Sequence, residues 1–97
     1  MIYILAWKYA FIGKFKICDK PSIYTGKDGC NGWRLQGAEK CQEKCTNNEV
    51  PDTKCDKGKT CAYALYTDLG NNPWCHLADD SCNVIDGDKQ HLLYKKG

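Results

Sequence analysis

The sequence predicts a small α+β domain, rich in disulfides, in which one helix packs on a short antiparallel sheet. Three observations predict it. Eight of the 97 residues are cysteine, an even number at high density. Two of them stand four apart in Cys41-Gln-Glu-Lys-Cys45, one helical turn, so both sulfurs leave a helix on the same side. Two more lie on runs that read as strands, Cys61-Ala-Tyr-Ala-Leu-Tyr66 and Pro73-Trp-Cys-His-Leu77.

A chain of 97 residues makes one domain with a modest core. Hydrophobic residues are 42% of it, a figure that includes the cysteines, and mean hydropathy is -0.61. Such a wet composition gains much from covalent staples. Closing a loop of ~15 residues by a disulfide is worth roughly 3 kcal/mol in the chain-entropy model. An even cysteine count at this density is the signature of a disulfide framework in an oxidising compartment. Net charge is only +2, and Arg34 is the sole arginine, so nothing calls for nucleic acid, whose recognition recruits the planar guanidinium fork. Charge is uneven along the chain. Residues 1–17 hold Lys8, Lys14 and Lys16 without an acid, and residues 79–88 hold Asp79, Asp80, Asp86 and Asp88 without a base. No Asn-x-Ser/Thr sequon occurs.

Residues 1–17 are apolar, aromatic and basic, and contain no cysteine. The run is broken by Lys8, is too short for a transmembrane helix, and lacks the charge order and cleavage site of a signal peptide. Two readings stay open for it: an edge strand on the domain's own sheet, or an aromatic strip held by a membrane face or large partner. Composition divides the chain into this extension and a disulfide-rich domain over residues 18–97. Residues 18–37 are turn-prone until Trp33-Arg-Leu35, a short strand. The helix is expected from Ala38 to about Asn47, with Glu39 favourable in its first turn. Residues 50–59 read as a polar loop and Thr60–Thr67 as a strand. Leu69-Gly-Asn-Asn-Pro73 is a turn, and Trp74–Leu77 is the returning arm of a hairpin. Asp79–Asp88 reads as an acidic loop and His91–Lys95 as a closing strand.

The stretch from Cys30 to Cys82 resembles the PAN/apple domain family. The likeness rests on the Cys41/Cys45 helix, the Cys61-Ala-Tyr-Ala-Leu-Tyr66 strand and the Trp74-Cys75-His76-Leu77 strand, and it extends over roughly residues 30–97. It implies the disulfides Cys41–Cys75 and Cys45–Cys61. The flank Cys30-Asn-Gly-Trp-Arg-Leu35 and Ser81-Cys82 look like a variant found in protists and microalgae, which implies Cys30–Cys82 and leaves Cys18–Cys55 as the last pair. The loop from Cys45 to Cys61 departs from the pattern by holding Cys55, which stays open as another partner for Cys45.

Candidate chemistry is sparse. Cys41/Cys45 is the only cysteine pair at zinc-knuckle spacing, so disulfides are expected and no metal or cofactor. His76 beside Cys75 on a strand is expected to face solvent. An even cysteine count leaves no spare thiol as a nucleophile, and neither Ser22 nor Ser81 lies in a nucleophile turn. Asp86-Gly-Asp88 lacks the other positions of a calcium loop. Tyr63 is expected in the core, while Trp33 and Trp74 flank turns and stay open as core or ligand platform. The resulting expectation is a non-enzymatic protein-interaction module. It would be a small accessory or structural subunit, docked on a larger membrane-associated assembly through Tyr3, Trp7, Lys8, Phe11 and Phe15. Removing residues 1–17 is then expected to leave the disulfide core folded. The alternative is a secreted or surface lectin-like domain that binds carbohydrate or protein through Trp33, Arg34 and Trp74. Either would work in an oxidising compartment, extracellular or an organelle lumen. The likeness to the microalgal variant implies the thylakoid lumen, at a photosynthetic complex, as one such place.

Overall fold

The computed structural model describes residues 9–19, 32–51, 55, 60–87 and 89–97. Among them one helix packs on a four-stranded antiparallel sheet, and a two-stranded ribbon joins the other face. The strands are β1 (Tyr9–Lys14), β2 (Lys16–Cys18), β3 (Tyr63–Thr67), β4 (Trp74–Ala78), β5 (Val84–Asp86) and β6 (Leu92–Lys96); the helix is α1 (Ala38–Thr46). Sheet order is β1-β6-β3-β4, and β2 pairs with β5. The chain is a small α+β disulfide-rich domain.

Helix α1 begins after Gly37, whose φ of 113° suits glycine and whose N–H donates to the Tyr66 hydroxyl on β3 at 2.8 Å. It stops where Asn48 turns left-handed at φ 50°. The Asn48 side-chain oxygen accepts from the Cys61 N–H at 2.7 Å, so the helix end is tied to the approach to β3. Cys41 and Cys45 are both fully buried. Cys41 bonds Cys75 on β4, and Cys45 bonds Cys61 just ahead of β3. Around them Ala64, Tyr66 and Leu77 complete the core beneath the helix. Burying one leucine side chain is worth about 1.5–3 kcal/mol, so few such residues leave the cystines a large share of the stability.

The opposite sheet face buries Tyr63, Ala78, Cys82 and Leu93, with Cys18 packed against them. Here the wiring differs from that implied by the resemblance. Cys18 bonds Cys82, so neither Cys30–Cys82 nor Cys18–Cys55 forms. The cause is the β2–β5 pairing, which sets Cys18 opposite Val84, two residues after Cys82. Asp19 reinforces the approach by donating its N–H to the Asn83 carbonyl at 2.8 Å. Cys55 is buried and disulfide-bonded, and Cys30 lies outside the described residues.

Three further expectations are corrected. Residues 79–88 are not a loop throughout, because Val84–Asp86 is strand β5. Two β-branched residues outweigh the flanking acids there, and Asp86 is paired with Lys16 across the ribbon. The boundary at residue 17 also falls inside β2. Residues 9–14 are an edge strand hydrogen-bonded to β6, which answers for them the question left open by composition. They belong to the sheet. Trp33–Leu35 is reduced to a single bridge between Trp33 and Cys75.

Candidate functional site

All five of the exposed large hydrophobic residues among those described fall on β1, the turn that follows it and β5. Phe11 and Ile12 are on β1, Phe15 is in the turn to β2, and Val84 and Ile85 are on β5. The other large apolar side chains among the described residues are at least half covered. The Phe15 turn and β5 adjoin, since β2 runs beside β5 and the Phe15 carbonyl accepts from the Gly87 N–H at 2.7 Å.

Strand β1 holds its place through Tyr9. The Tyr9 hydroxyl lies 2.8 Å from the Gln42 carbonyl, to which it donates, and 2.9 Å from the Thr46 hydroxyl, fixing the strand to α1. Burial pushes the Tyr9 pKa above the ordinary phenol value, partly opposed by the Thr46 bond. Tyr94 on β6 is raised by burial as well, and its ring lies 5.4 Å from that of Phe11. Phe11 therefore rests on Tyr94 while remaining 56% exposed. The register slips between Phe11 and Gly13, a bulge around Ile12. No described strand pairs with the other side of β1.

Phe15 is the least ordinary residue of the turn. Among the described residues three non-glycine residues have positive φ; two are Asn48 and Asn71, a type that tolerates it, and the third is Phe15 at 64°. Its N–H donates to the His91 carbonyl at 3.0 Å, so both backbone groups are held while the ring is 45% exposed. A bulky aromatic kept in a strained conformation with its ring in water gains little for the fold.

The three residues expected of a ligand platform do come together. Trp33 and Cys75 exchange backbone bonds of 3.0 and 2.8 Å, which sets Trp33 beside β4. Gly32 makes this approach possible, because a Cβ there would lie 2.2 Å from the Cys75 carbonyl oxygen. The Arg34 guanidinium lies 5.8 Å from the centre of the Trp74 ring, and the Lys44 ammonium 5.5 Å from that of Trp33. His76 does not simply face solvent. It is half-buried and its Nε2 accepts from the Trp74 indole N–H at 2.8 Å, a pairing of same-face neighbours two residues apart. One face of each indole is thus occupied by a cation of the chain itself.

Of the expected docking residues, Phe11 and Phe15 are exposed on this surface, while Tyr3, Trp7 and Lys8 lie outside the described residues. Sequence reasoning missed Ile12, Val84 and Ile85. The apolar pair inside an otherwise acidic run was the signal available for the last two. A polar depression of about 150 Å³ between Gln36, Asp68, Asn71 and Pro73 is smaller than small-molecule sites generally are. Among the described residues no cluster of three His, Cys, Asp or Glu side chains could hold a metal ion, and no helix is long and apolar enough to cross a membrane. No family model, curated protein or solved structure matches the chain.

Proposed function

We propose that this protein is a non-enzymatic interaction module of PAN/apple type, a small accessory subunit that docks onto a larger assembly through β1, the Phe15 turn and β5. One observation carries the reading: every exposed large hydrophobic residue among those described lies there. Exposed apolar side chains confined to a few segments, when the other large apolar side chains among the described residues are covered, are characteristic of a surface that another molecule covers. The strained Phe15 adds support, since strain persists where something other than stability selects it. The PAN/apple assignment rests on a helix stapled to neighbouring strands by Cys41–Cys75 and Cys45–Cys61. The three described disulfides are the chemistry of an oxidising, non-cytosolic environment.

Truncation is a poor test, because deleting residues 1–17 removes β1 and most of β2 and uncovers β6. Substitution is cleaner. The double variant Phe11→Asp, Phe15→Asp should leave the disulfide-linked fold intact yet migrate as the free 11.0 kDa chain on a native gel of gently solubilised source material. Wild type should migrate with the assembly. Equal migration of the two in a high-mass complex would overturn the reading.

The gathering of Trp33, Arg34 and Trp74 favours a second reading, a lectin-like platform at β4. Sugars stack on bare aromatic faces, so a glycan must displace Arg34 from Trp74 or use the other ring face. A glycan array probed with the oxidised protein and with Trp74→Ala decides it. Binding lost in the variant supports this reading, and a blank array removes the sugar version.

A further inference from the structure

The docking reading above leaves open what covers the edge of β1, and we infer that its occupant is an extended, acidic segment of a partner protein, added to the sheet as a further strand. The inference rests on that reading and on three observations. First, β1 is the terminal strand of the four-stranded sheet among the described residues, and no described strand takes up the backbone donors and acceptors of its outer side. Second, the apolar residues Phe11 and Ile12 occupy the middle of this edge, Lys14 stands at one end of it, and behind Tyr9 at the other end lies Lys96 of the neighbouring strand β6. Third, residues 9–18 and 89–97, which contain β1, its turn and β6, hold Lys14, Lys16, Lys89, Lys95 and Lys96 and not one acid. Lys16 is committed to Asp86, and Lys95 lies over the Tyr63 ring at 5.8 Å. Lys14, Lys89 and Lys96 have no acidic partner among the described residues.

Along the edge itself the side chains are therefore apolar over Ala10–Ile12 and basic at Lys14, with Lys96 one strand behind Tyr9, over six residues or roughly 20 Å of strand. Its complement is a strand with acids at its ends and apolar side chains between them. A second copy of this chain is disfavoured, because residues 9–18 and 89–97 of both copies would bring together lysines with no acid to pair them. An anionic membrane would match the charge and the aromatics, but it supplies no partners for the backbone groups it buries, each of which is costly to leave unpaired. A strand supplies them all, with apolar pockets giving the register.

The probe is an eight-residue peptide of alternating Glu and Val, titrated into the full oxidised chain and followed by NMR. The expected result is shift changes and slowed hydrogen exchange centred on Ala10–Lys14, weakening with salt and absent for the Lys/Val counterpart. The variant Lys14→Glu, Lys96→Glu should bind about tenfold more weakly, two exposed ion pairs' worth, with its own fold unchanged in the same spectra. No peptide binding, equal binding of both peptides, binding only to phosphatidylserine-containing vesicles, or dimerisation of the chain alone would each overturn the inference. If the peptide fails while Phe11→Asp, Phe15→Asp still leaves the native assembly, the acidic-strand inference alone falls. If that variant stays in the assembly, the docking reading falls with it.

Discussion

Phe15 separates stability from function more sharply than any other residue described. At φ 64° its Cβ crowds the backbone, a conformation that costs an L residue roughly 1–2 kcal/mol and a glycine nothing. Phe15→Gly should therefore raise the unfolding midpoint, or at worst leave it unchanged after offsetting glycine's larger unfolded-state entropy. The same substitution should weaken docking. Thermal melts beside native-gel migration check both, and a variant both less stable and fully docked would make Phe15 a structural residue. Tyr9 carries the second prediction at this scale. Its folded pKa, like that of Tyr94, is raised by burial, so folding favours the protonated phenol. That contribution is complete below about pH 10 and is lost as pH rises through the folded-state values. Tyr9→Phe should lower stability by about 1 kcal/mol at neutral pH through its lost hydrogen bonds. It should also flatten the decline above pH 10, as read from denaturant melts across that window. An unchanged slope would show that Tyr9 does not contribute to it.

The elements differ in how much the sequence told of them. Helix α1 was legible because Cys41 and Cys45 one turn apart define a buried face, and Asn47-Asn48 a stop. The β3–β4 hairpin was legible through its aromatic alternation and the Leu69–Pro73 turn. Strand β5 was not, because three residues flanked by acids give too short a pattern, and its pairing with β2 spans most of the chain. The same distance hid the Cys18–Cys82 bond, 64 residues apart, since spacing says nothing about which ends a fold brings together. Of the expected site, Phe11 and Phe15 were visible as apolar residues in a cysteine-free segment. Their exposure depended on tertiary contacts no local pattern encodes. The two sheet faces make a prediction of their own. Cys18→Ala, Cys82→Ala removes a staple on the back face, where Cys18 is half-buried, and should cost about 2–4 kcal/mol while loosening β2 and β5. Cys41→Ala, Cys75→Ala removes a fully buried staple and opens a cavity as well, so it should cost more. Reduced stability measured in the reverse order would contradict the placement of the main core beneath the helix.

At the scale of the whole molecule, the cystines and the exposed residues divide the fold. Cys41–Cys75 and Cys45–Cys61 fasten the helix to β4 and to the entry of β3, and the apolar surface lies away from them on β1 and β5. A structure built this way can present a sticky edge without unfolding, because the sheet behind it is held covalently. The Trp33–Trp74 cluster lies at β4, the opposite end of the sheet order from β1, so one footprint distinguishes the two surfaces. Hydrogen exchange of the chain within its native assembly, compared with the purified oxidised chain, reads that footprint directly. Docking through the N-terminal edge predicts added protection confined to residues 9–17 and 84–87, with Trp33 and Trp74 exchanging alike in both states. Protection centred on Trp33–Leu35 and β4, with residues 9–17 unchanged, would contradict the account.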